Sequence, residues 1–62
     1  MDKDLIASRD RFLMNRNADL GLSVNSAKNY LWDLAEYFNE NRITLSQFTA
    51  GINEIMKWNK GQ

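Results

Sequence analysis

Between Ser23 and Glu40 the apolar residues recur at the spacing of a single helix face. Ala27, Tyr30, Leu31, Leu34, Ala35 and Phe38 follow the i, i+3, i+4, i+7 pattern. This is the longest helical pattern in the chain, and it carries four of the seven aromatic residues. A shorter pattern precedes it: Leu5, Ile6, Phe12 and Leu13 share one face, with Arg9 and Arg16 on the same stripe. Another follows, with Leu45, Phe48, Ile52, Ile55 and Met56 as its stripe. The patterning predicts helices over about 4–17, 24–39 and 45–58 in one all-α domain covering residues 1–62. The connections are short, so neighbouring helices should pack on one another, with the second helix central.

Local signals mark the helix ends. Asp2 or Asp4 can cap the first helix, since either carboxylate can accept from free backbone N–H groups. Ser23 reads as the cap of the second, with Leu22 and Ala27 at the positions of a hydrophobic staple. Asn39-Glu40-Asn41-Arg42 breaks the pattern. Thr44 and Gln47 fit a capping box, with Ile43 and Phe48 as its staple. Gly51 inside the third helix costs roughly 1 kcal/mol relative to alanine, so a close approach of the second helix is expected there. Gly61 fits a helix stop.

The aromatic residues divide by position. Phe12, Phe38 and Phe48 lie on stripes and read as core. Tyr30 and Tyr37 flank the central stripe and read as half-buried, hydroxyls outward. Trp32 and Trp58 lie off their stripes. Either they roof the core or pack on each other, or they are exposed as protein-contact residues, a position in which tryptophan is enriched. For Arg9 two readings stand: an alkyl stem covering the core edge, or a guanidinium holding a carboxylate of a neighbour or partner.

Composition narrows the chemistry. Sixty-two residues bury only about 60% of their unfolded surface, and a core this small rarely supplies more than about 3–5 kcal/mol. There is no cysteine for a disulfide and no histidine for a metal or a general base. No phosphate loop or nucleophile motif is present, so no enzyme, metal or cofactor is expected. Asp33, Glu36 and Glu40 share a face of the second helix and read as its solvated side. No segment reads as a signal peptide or a membrane span, which makes the cytoplasm the default location. Basic and acidic residues number eight each, but residues 19–40 are acidic, with Lys28 against Asp19, Asp33, Glu36 and Glu40. A nucleic-acid partner is not expected from that balance.

Residues Gly21-Leu22-Ser23-Val24-Asn25-Ser26, then Tyr30, Asp33-Leu34 and Phe38, followed by Ile43-Thr44-Leu45, carry a family resemblance. The segment resembles the N-terminal, SAM-like core-binding domain of tyrosine recombinases and phage integrases, over roughly residues 5–58. The resemblance implies a helical bundle that clamps DNA, with Arg9, Arg11, Arg16 and Lys28 as the contact candidates. These 62 residues leave no room for the arginine, histidine and tyrosine residues of the family's strand cleavage, and the central helix offers only Lys28 as a cation. The leading expectation is therefore a small, free-standing, non-enzymatic module. It would bind another protein or itself as a homodimer, in the manner of regulators carried by phages and mobile elements. Trp32, Tyr37, Trp58 and Arg9 are the candidate partner-binding residues. A DNA-binding accessory module is the alternative.

Overall fold

The computed structural model describes residues 2–16 and 22–60, and the side chains of 2–15 and 24–59. The described residues form three helices: α1 Lys3–Arg16, α2 Leu22–Asn39 and α3 Leu45–Lys60. Asp2 is the residue that caps α1. Its Oδ1 accepts from the backbone N–H groups of Asp4 at 2.8 Å and Leu5 at 3.1 Å. The expected Ser23 cap and Leu22 staple, like the Gly61 stop, rest on groups outside the described residues; α2 itself begins at Leu22.

The exit from α2 is a Schellman turn. Asn41 sits at φ 60°, the left-handed region that asparagine tolerates better than most residues. Its N–H donates to the Phe38 carbonyl at 3.0 Å, and the Arg42 N–H donates to the Tyr37 carbonyl at 2.9 Å. Two residues on, Thr44 caps the start of α3. The Thr44 N–H donates to Gln47 Oε1 at 2.8 Å, and the Gln47 N–H donates to Thr44 Oγ1 at 3.1 Å. This is the reciprocal capping box that the sequence predicts.

The core is Leu5 and Phe12 from α1, Ala27, Tyr30 and Leu34 from α2, and Ile43 from the connection. Leu34 is fully enclosed, at 0% exposure. A Cβ on Gly51 would lie 2.6 Å from Leu34 Cδ1, so a side chain there would force either the enclosed Leu34 side chain or α3 itself to shift. The expected packing reason for this mid-helix glycine is thereby met. α2 packs on both α1 and α3, and α1 and α3 meet through side chains, Arg9 on Glu54 and Phe12 on Trp58.

Several residues sit differently from the sequence reading. Tyr30 is buried rather than half-buried, with its ring stacked on Phe12 at 5.1 Å. Ile6 on α1 and Leu45 and Met56 on α3 are exposed. Phe38, expected in the core, is 38% exposed and stacks on half-buried Phe48 at 4.9 Å. Leu31 and Ala35 also face solvent. The buried face of α2 is instead Ser26, Ala27, Tyr30 and Leu34, bordered by half-buried Asp33 and Tyr37. It is turned about 60° from the expected stripe, taking about 100° per residue. A hydrogen bond from Ser8 Oγ to Asp33 Oδ2, 2.7 Å, lets this more polar edge enter the α1 contact. The apolar residues on the other edge are left uncovered.

Candidate interaction surface

That uncovered edge is the most distinctive surface of the molecule. Trp32 stands 74% exposed on it, beside Leu31 at 45%. Val24 is exposed one turn before Lys28. Lys28, Leu31, Trp32, Ala35, Glu36 and Asn39 line one shallow, mostly apolar depression. The arrangement follows from helix geometry. α2 carries apolar residues around more than half its circumference, and two neighbouring helices cover only one side. An exposed tryptophan ring leaves a large apolar area in water, and burying such rings drives many protein contacts.

Lys28 and Glu36 flank Trp32 one turn before and one turn after it. The row 28, 32, 36 is one i±4 ridge of the helix. Neither charge is in an ion pair among the described residues. The carboxylates expected to share a solvated face are in fact divided. Asp33 accepts from Ser8, Glu40 lies 3.8 Å from an Arg42 nitrogen, and only Glu36 belongs to the Trp32 surface.

The other candidate residues have partners inside the chain. Arg9 grips Glu54 of α3 with two hydrogen bonds, Nε to Oε2 at 2.7 Å and Nη2 to Oε1 at 2.9 Å. Those bonds, reinforced by the Glu54 charge, raise the Arg9 pKa further. This is the carboxylate-holding reading of Arg9, realised within the chain. Tyr37 lies half-buried under the Arg42 guanidinium, 4.4 Å from ring centroid to Cζ. Burial pushes its hydroxyl pKa up, and burial does the same for Tyr30. Trp58 is half-buried and meets Phe12 edge to face at 6.2 Å. Its Nε1 is buried with no hydrogen-bond partner among the described residues. The two tryptophans thus take opposite roles, Trp58 as roof and Trp32 as exposed residue. Trp32 and Tyr37 project from opposite sides of α2.

The DNA-contact candidates are dispersed. Arg9 is engaged by Glu54, Arg11 is exposed two residues away on a different face of α1, and Lys28 lies on the far side of α2. The Arg16 side chain lies outside the described residues.

Arg42 is the polar centre that sequence reasoning missed. Its Nε bonds Asp2 Oδ2 at 2.9 Å, its Nη2 bonds Asp2 Oδ1 at 3.0 Å, and Nη2 also reaches Asp4 Oδ2. Its hydrogen bonds to the carboxylates of Asp4 and Asp2 raise the Arg42 pKa. Burial pushes the Asp2 carboxyl up, but the bonds from Arg42, Leu5 and Asp4 outweigh it and hold the pKa below the usual 3.8. The signal available was local: Arg42 follows the Asn41 turn, where a residue commonly packs back on the helix end.

Among the described residues no group of three or more acidic, histidine or cysteine side chains could hold a metal, and no helix is long and apolar enough to cross a membrane. No protein-family model, curated protein or solved structure matches the chain.

Proposed function

We propose that this chain is a non-enzymatic protein-interaction module whose contact surface is the outer face of α2. The observation that carries the reading is Trp32, three-quarters exposed beside the apolar side chains of Leu31 and Ala35, a surface that no helix among the described residues covers. Exposed apolar patches bounded by charge are characteristic of protein contacts. A regulatory role, in the manner of small proteins carried by phages and mobile elements, is proposed by analogy of size and form. The recombinase-like DNA reading is weaker on the same geometry, because Arg9 and Arg42 are already neutralised by carboxylates of the chain.

Two measurements test this reading. The immobilised chain should retain protein from a lysate of the cells that make it, and Trp32→Ala should release that protein. Binding to labelled duplex DNA, followed by anisotropy across a salt series, should fall no lower than the weak end of about 10⁻⁴–10⁻⁶ M. Submicromolar duplex binding that weakens steeply with salt would overturn the reading and promote the DNA-binding alternative.

A further inference from the structure

We propose that the occupant of the Trp32 surface is a second copy of this chain, docked by antiparallel packing of α2 on its own copy. The inference rests on the interaction reading above and names its partner. Three observations carry it.

The first is charge complementarity. Lys28 and Glu36 sit four residues to either side of Trp32, so they are related by reversing the helix about that residue. A two-fold axis at Trp32 places Lys28 level with the partner's Glu36, and Glu36 level with the partner's Lys28. A parallel pairing would set like charges together at both positions. The pattern therefore selects one orientation and rejects the other. Such an interface is self-complementary, as a two-fold contact must be.

The second is shape. Lys28, Trp32 and Glu36 form an i±4 ridge, and ridges of this kind interleave when two helices cross at about −50°. The depression between this ridge and the adjacent row of Leu31, Ala35 and Asn39 gives the opposing indole a place to lie. Ala35 keeps the approach close, and the exposed Leu31 adds apolar area on the same side.

The third is the state of the rest of the chain. Neither Lys28 nor Glu36 has an ion pair of its own to lose among the described residues. The net charge is zero, so two copies meet without long-range repulsion. The core is small, and self-association is one of the established ways in which domains of this size gain stability.

The test is sedimentation equilibrium of the purified chain from micromolar to millimolar concentration, with circular dichroism of each variant as a control for folding. The expected result is a concentration-dependent dimer, abolished by Trp32→Ala with helix content retained. Lys28→Glu and Glu36→Lys should each weaken the dimer by about tenfold, since two attractive pairs become repulsive. The double variant Lys28→Glu/Glu36→Lys should dimerise like the wild type, and the two single variants mixed together should pair with each other. A wild-type chain that stays monomeric at millimolar concentration would overturn the proposal. So would a dimer that Trp32→Ala leaves intact, or a double variant no better than either single one. If the chain is monomeric while Trp32-dependent capture of another protein persists, self-pairing falls and the interaction reading stands. If both fail, both fall.

Discussion

At the scale of single residues, the tightest constraint is the meeting of Leu34 and Gly51. Leu34 is wholly enclosed, and its methyl groups occupy the space a Cβ on Gly51 would need. Leu34→Ala should therefore destabilise the fold by about 2–5 kcal/mol, most of what a chain this size has. Gly51→Ala sets two effects against each other. Alanine favours the helix by roughly 1 kcal/mol, but overpacking against an enclosed leucine costs about 1–3 kcal/mol. A contact at 2.6 Å decides in favour of the clash, so the substitution should lower stability. Combined with Leu34→Ala, it should cost far less than the sum, because the truncated side chain leaves room for the new methyl. Urea denaturation of the three variants checks this. Additive losses would show that the two residues do not share the space described here.

At the scale of elements, each helix is bounded by a local device, and most of these devices were legible in the sequence. The Thr44–Gln47 box reads directly from spacing. Thr44→Ala should cost about 1 kcal/mol in thermal or urea unfolding, while Thr44→Ser should be nearly silent. The capping of α1 was narrowed to Asp2 or Asp4, and Asp2 performs it. What spacing could not show is that Asp2 also holds Arg42, because that pair joins residues 40 positions apart. The consequence is a pH dependence. The folded-state pKa of Asp2 lies below its ordinary value of 3.8, so its contribution is complete above that pH. It is lost as pH falls from 3.8 through the folded-state value. Asp2→Asn should flatten this part of the acid limb in a stability-versus-pH series. An unchanged limb would mean that the Asp2–Arg42 contact does not persist in solution. The rotation of α2 was likewise hidden from periodicity. The apolar stripe of α2 is wider than two neighbours can cover, and the edge that is buried carries the Ser8–Asp33 bond and the Tyr30–Phe12 stack. A serine on the Leu5–Phe12 stripe was the only sequence sign of it.

At the scale of the whole molecule, these choices leave α2 buried on one side and open on the other. Three helices, their approximate limits and the central place of α2 could all be read from hydrophobic spacing. The candidate surface was legible only in part. Trp32 could be picked out because it lies off its stripe, but so does Trp58, and the two have opposite fates. Trp58 is drawn in by Phe12, a contact between helices at opposite ends of the chain that no local pattern encodes. Arg9 is taken up by Glu54 for the same reason, whereas Tyr37 is covered by Arg42 through the local turn that ends α2. The surface that remains is the ridge of Lys28, Trp32 and Glu36, and the account stands on its being a protein contact face. The most direct measurement is an isotope-filtered nuclear Overhauser experiment on an equal mixture of labelled and unlabelled chains at millimolar concentration. The account predicts intermolecular contacts from the Trp32 indole to the Lys28, Trp32 and Glu36 side chains of the other copy. Intermolecular contacts confined to another face, or none from Trp32 at a concentration where the chain is dimeric, would contradict it.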